Sequence, residues 1–113
     1  MGFATNPFVI GTVTITGTKK SFATEFPSTD IPDRINALFL ESYSENNATG
    51  SIFVGDSTLD IATAAPTGII VVVSAGQRET LGGVLSGNRL DWRKYYVDGD
   101  VPGDMLLVSG QVE

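Results

Sequence analysis

The sequence predicts an all-β domain, a jelly-roll-like β-sandwich of about seven or eight antiparallel strands with a short N-terminal arm. Short segments rich in Val, Ile, Thr and aromatic residues recur between turn signals. Helical periodicity is scarce along the chain. Thirteen glycines and five prolines in 113 residues supply many turns. That length makes a single domain, residues 1–113, with no internal repeat or linker.

Each element follows from local pattern. Met1–Pro7 is read as a free arm, with Phe3 and Phe8 able to anchor it on a neighbour. Phe8–Thr16 (FVIGTVTIT) reads as a first strand, with Val13 and Ile15 on one face and threonines on the other. Lys19–Phe26 reads as its hairpin partner through Gly17-Thr18, where glycine supplies the positive φ of a tight turn. Residues 27–33 (PSTDIPD) form a loop, because each proline holds its predecessor out of helix. Arg34–Tyr43 reads as a central strand covered on both faces, although a short apolar run leaves helix open.

Residues 44–50 form a turn, Ser51–Gly55 a short strand, and Asp56–Gly68 a longer, partly irregular connection. Gly68–Ser74 (GIIVVVS) is a continuous β-branched run, expected to be deeply buried or to lie at a subunit contact, and this singles out Ile69, Ile70 and Val71. Leu90–Val97 and Met105–Val112 are expected to pair as a hairpin around residues 98–104.

Composition excludes several functions. With no histidine and no cysteine there is no disulfide, no thiolate metal site and no usual base for a nucleophilic serine. Thirteen acids against seven bases give a net charge of −6, a field that repels nucleic acid and anionic membranes. No stretch approaches the roughly 20 apolar residues of a membrane-spanning helix.

The remaining motifs fail on their own chemistry. Gly50–Ser57 has the spacing of a phosphate-binding loop, but Asp56 stands where the lysine belongs, so a strand ended by a turn explains it better. Asp98, Asp100 and Asp104 hint at calcium, yet Pro102 and Ser109 occupy ligand positions of the loop; Asp-Gly and Pro-Gly turn chemistry accounts for the same residues. Asn47-Ala48-Thr49 fits a glycosylation sequon and equally a polar turn. No spacing marks a pair of carboxylates for hydrolysis.

The stretch WRKYY (92–96) is the densest in aromatic and cationic side chains. Strand alternation would place Trp92, Lys94 and Tyr96 on one face and Arg93, Tyr95 and Val97 on the other. Either Trp92 with Tyr96, or Tyr95 with Val97, fills the core. The other face meets water or another chain, where Arg, Trp and Tyr serve as anchors.

The order TGSIFVGDSTLD (49–60), GIIVVVSAGQRETL (68–81) and LDWRKYYVDGDVPGDMLLV (90–108) resembles small β-sandwich virion proteins of tailed bacteriophages. In those chains a Gly-x-hydrophobic-x-Val-Gly strand precedes a Gly-rich turn, and a hairpin bearing Tyr-Val-Asp-Gly and Gly-Asp closes the fold. The similarity rests on turn residues and strand pattern. It implies a non-enzymatic cement or decoration protein, often a homotrimer. Such a protein is made in the host cytoplasm and binds the major capsid protein on the outside of the shell, without cofactor, nucleic acid or membrane. In that role Ile69, Ile70 and Val71 suit a self-contact, and Phe3, Pro7 and Phe8 suit a strap onto capsid protein. Trp92, Arg93, Tyr95 and Tyr96 are further interface candidates. The competing expectation is a tail- or fibre-associated adhesion or carbohydrate-binding module with exposed aromatic residues.

Overall fold

The computed structural model describes residues 6–27, 30–82 and 90–112. Its strands are β1 (Asn6–Thr14), β2 (Lys20–Ser21), β3 (Arg34–Ile35), β4 (Ala37–Ser42), β5 (Ser51–Asp60), β6 (Thr67–Ser74), β7 (Arg78–Gly82), β8 (Leu90–Asp91), β9 (Tyr96–Gly99) and β10 (Met105–Val112). A single helical turn, α1 (Phe22–Glu25), follows β2, and a 3-10 turn (Trp92–Lys94) follows β8.

Eight strands make two four-stranded antiparallel sheets in the orders β1-β10-β4-β7 and β2-β9-β5-β6, and β3 pairs with β8. We call the two large sheets A and B. The pairs β1/β10, β2/β9, β4/β7 and β5/β6 are nested about the middle of the chain, as in a long ribbon wound into two layers. This is the jelly-roll order that the strand pattern predicted.

Local pairings differ from the sequence reading because consecutive strands of a wound ribbon mostly change sheets. β1 pairs with β10, and Lys20–Ser21 pairs with β9, so residues 8–16 and 19–26 are not a hairpin. Gly17 does take the positive φ (89°), but its turn carries the chain from sheet A to sheet B. Likewise β9 lies in sheet B and β10 in sheet A, so residues 98–104 bridge the layers. Backbone bonds from Ile15 N–H to Asp104 O (2.8 Å) and from Gly103 N–H to Ile15 O (2.7 Å) tie that bridge to the first crossing.

The central strand expected over Arg34–Tyr43 is split: Arg34–Ile35 pairs with β8, and Ala37–Ser42 alone forms the inner strand β4 between β10 and β7, with Leu38 and Leu40 fully buried. Ser51–Gly55 continues as strand to Asp60, paired irregularly with β6. Asn6 and Pro7 belong to β1, where they face Val112 and Gln111, while residues 1–5, including Phe3, lie outside the described residues.

The core lies between the sheets, where Val13, Leu38, Leu40, Leu106 and Val108 of sheet A meet Ile52, Val54, Val73 and Val97 of sheet B. One end is closed by Phe22, Phe26 and Trp92, with ring centres 5.7 and 6.3 Å apart in sequence order. Tilted rings at these separations are the favoured aromatic geometry.

Candidate interaction surfaces

The aromatic and cationic stretch 92–96 does not run as a strand. The 3-10 turn breaks alternation, and the Asp91 carboxylate caps it by accepting from Arg93 N–H (3.2 Å). Trp92 is wholly buried and its indole N–H donates to the Pro32 carbonyl at 2.7 Å. It is therefore a core residue, and its place among the interface candidates is corrected. Arg93 lies over the Trp92 ring (4.9 Å) and pairs with Asp33 at 2.6 Å, which fastens the 30–33 loop over the aromatic end. Tyr95 is half-buried against the core, and burial, then Asp91, raises its hydroxyl above the ordinary tyrosine range.

Tyr96 does reach a surface. With Ser21, Ala23, Asp56, Ser57, Arg93 and Lys94 it lines an open groove of about 430 Å³ on sheet B. Lys19 donates to the Ser57 carbonyl at 2.9 Å and sits 5.2 Å from the centre of the Tyr96 ring. Asp56 accepts from the Thr58 hydroxyl and from Thr58 N–H (2.8 Å), and these bonds, the hydroxyl first, hold its carboxyl below the usual range. Lys19, distant in sequence, is thus brought beside Tyr96 and Ser57 of the groove that Arg93 and Lys94 also line. Sequence reasoning missed Lys19, Asp56 and Ser57, because only the β2-β9-β5 pairing brings them together.

The other surface features are apolar. Among the described residues the exposed large hydrophobic side chains are Val9 (65%), Ile70 (49%) and Val72 (43%). Val9 is turned outward by a register shift. Gly11 faces Val108 on the core side, but an extra residue before it sets Val9 opposite Ser109 on the outer face of sheet A. The same shift turns Phe8 inward, where it packs against the core, so Phe8 is not part of a free arm. Around Val9 the outer face of sheet A carries half-buried Leu107, Met105 and Phe39, the last covered by the Arg78 guanidinium at 4.3 Å.

The GIIVVVS run is not deeply buried. β6 is the edge strand of sheet B, and in it only Val73 is fully enclosed. Ile69 and Val71 are half-buried. Val71 faces Val54 and Ile69 faces Gly55, which leaves Ile70 as an extra, exposed residue. Val72 stands opposite Phe53, another half-buried side chain of the outer face that sequence reasoning passed over.

Comparison with protein families, curated proteins and solved structures gives no match. The chemistry must be read from the surfaces themselves. Among the described residues no three His, Cys, Asp or Glu side chains converge as a metal site requires. Asp104 is instead a buried acceptor for Asn47 N–H (3.0 Å), and Asp100 accepts from Ser51 N–H (2.7 Å), so both shape loops. The groove contributes one carboxylate, Asp56, where glycoside hydrolysis takes two.

Proposed function

We propose that this protein is a non-enzymatic virion structural component, a cement or decoration subunit that binds the outside of a bacteriophage capsid as a homo-oligomer. The observation carrying this reading is the disposition of its apolar side chains. Val9 stands outside sheet A, and Ile70 and Val72 stand outside sheet B. A two-layer sandwich with an adhesive patch on each layer can hold two bodies together. Covering these apolar side chains with a partner would recover about 25 cal/mol per Å². In a symmetric shell such modest contacts are repeated many times.

On this reading the sheet A face, centred on Val9 and Leu107, meets the major capsid protein. The test is to locate the chain by electron microscopy and protein mass spectrometry in virions of the phage whose genome encodes it, and to add purified protein to shells lacking it. Binding to the shell exterior is expected. Val9→Lys should weaken it by at least about tenfold, because a lysine ammonium would be desolvated in an apolar contact. Absence of the chain from purified virions would end this reading.

The groove favours a second reading, a carbohydrate-binding module on a tail or fibre. Tyr96 lines the groove beside Asp56, Ser57 and Lys94, a combination of aromatic and polar side chains suited to a sugar. Trp92 takes no part, being enclosed. Binding to an array of bacterial surface glycans should then be seen and be lost in Tyr96→Ala. A blank array with folded wild-type protein removes this alternative.

A further inference from the structure

We propose that β6 is a self-association strand: the β6 of a second copy pairs with it antiparallel about a two-fold axis, joining the two sheets B into one. This deepens the homo-oligomer part of the proposed function by naming its strand, symmetry and copy number, and it is a property of the free protein that does not require shell binding.

The two large sheets end in four edge strands, β1 and β7 of sheet A and β2 and β6 of sheet B. Open edges present unpaired N–H and C=O groups and are usually guarded by charge, proline or brevity. β1 carries Pro7, β2 has two residues and includes Lys20, and β7 carries Arg78 and Glu79. β6 has eight residues without a charge or a proline. The surrounding sequence extends this neutrality: no charged residue lies between Asp60 and Arg78. Among the described residues, β6 is the one edge of the two large sheets without such a guard.

The identity of the partner follows from charge and shape. Two copies each carry −6, so they repel except where both surfaces are neutral. An antiparallel two-fold contact sets β6 against β6, neutral on neutral, and makes each apolar side chain the neighbour of another. Ile70 and Val72 of one copy then lie beside those of the other on the outer face, next to Phe53. The regular stretch Val71–Ser74, which pairs in step with Ser51–Val54, supplies the straight edge. The extra residue at Ile70 bends the strand away beyond it.

Symmetry gives a specific test. In an antiparallel pair about a two-fold axis, one residue faces its own copy with Cα atoms about 4.5–5.5 Å apart, within reach of a disulfide. The chain has no cysteine, so each introduced thiol reports alone. Single cysteines at 71, 72, 73 and 74 are to be oxidised in the full-length protein and the cross-linked dimer measured. Yield should peak at one position and fall at its immediate neighbours. Sedimentation equilibrium of the wild type should show a species of twice the 11.9 kDa chain mass, in a concentration-dependent equilibrium. Val72→Lys should raise the dissociation constant at least about tenfold, because like charges then face each other near the axis.

Val72 is exposed, so this variant should keep the wild-type circular dichroism and melting profile. Val9→Lys should dimerise as the wild type does. A wild type that stays at 11.9 kDa, a trimer, a dimer indifferent to Val72→Lys, or cross-linking without a positional maximum each overturns the proposal. Shell binding lost in Val9→Lys with dimerisation intact, or the reverse in Val72→Lys, separates failure of this contact from failure of the shell reading.

Discussion

Trp92→Ala is expected to destabilise the domain by roughly 3–5 kcal/mol, lowering the melting temperature by on the order of 15 °C. Trp92 is enclosed on every side and lies beside Phe26, whose ring in turn packs on Phe22. Truncation opens a cavity that helical turn α1 and the 3-10 turn cannot readily close, since both are fixed on sheet B by the β2/β9 pairing and by the bond from Phe22 N–H to the Tyr95 carbonyl (3.0 Å). It also removes the donor to the Pro32 carbonyl and the surface on which Arg93 rests. Trp92→Phe keeps much of the ring and loses the N–H, so about 1–2 kcal/mol is expected there. Urea unfolding of the two variants checks both figures. Equal stability of wild type and alanine variant would mean that Trp92 is not part of the core.

Gly55→Ala should cost about 3 kcal/mol or more, although it adds a single methyl group. β5 and β6 cross so closely at this point that a Cβ on Gly55 would overlap the Gly68 carbonyl oxygen. The obstacle is backbone, so no side chain can move aside. Gly68 itself takes φ +72° and lies against the Thr58–Leu59 backbone, which prevents β6 from retreating. Gly76→Ala is the control: it shares the positive φ of 72° but has open space around it, so only about 1 kcal/mol is expected. Displacement of β6 in Gly55→Ala should also weaken self-association, whereas Gly76→Ala should leave it unchanged.

Together these residues explain how a small neutral edge can be presented reliably. The Gly55–Gly68 crossing sets where β6 leaves its regular pairing, and the register shift beside it turns Ile70 outward. The Phe22–Phe26–Trp92 end holds α1 beside the 3-10 turn and thereby shapes the groove lined by Ala23 and Lys94. The proposed shell contact on sheet A and the proposed self-contact on sheet B therefore belong to opposite layers joined by one core. Mutations in the core should lower both activities together, and surface mutations should separate them.

Much of the architecture was legible in the chain. Alternating Val and Ile with Thr, the frequency of turn residues and the lack of helical periodicity suffice for an antiparallel sandwich, because each reports on one residue's immediate neighbours. Within residues 34–43, Ala37–Ser42 was readable as an inner strand for the same reason, since its apolar positions occupy both faces, whereas the separate pairing of Arg34–Ile35 with β8 was not. The absence of histidine and cysteine was equally legible and removes disulfides and imidazole or thiolate ligands, since no fold can supply a side chain that the sequence lacks.

Tertiary structure alone decided the pairings and therefore the surfaces. Strands adjacent in sequence were read as hairpins, yet in a wound ribbon most of them lie in different sheets, and no local signal marks that choice. Two single-residue register shifts were invisible in the pattern, and they turned Val9 and Ile70 outward. A 3-10 turn interrupted the stretch 90–97 and sent Trp92 to the core, because enclosing the indole against Phe26 and bonding it to Pro32 outweighs the strand preference of its neighbours. Side-chain period is a local property, but the face that meets water depends on which distant strand supplies the hydrogen bonds.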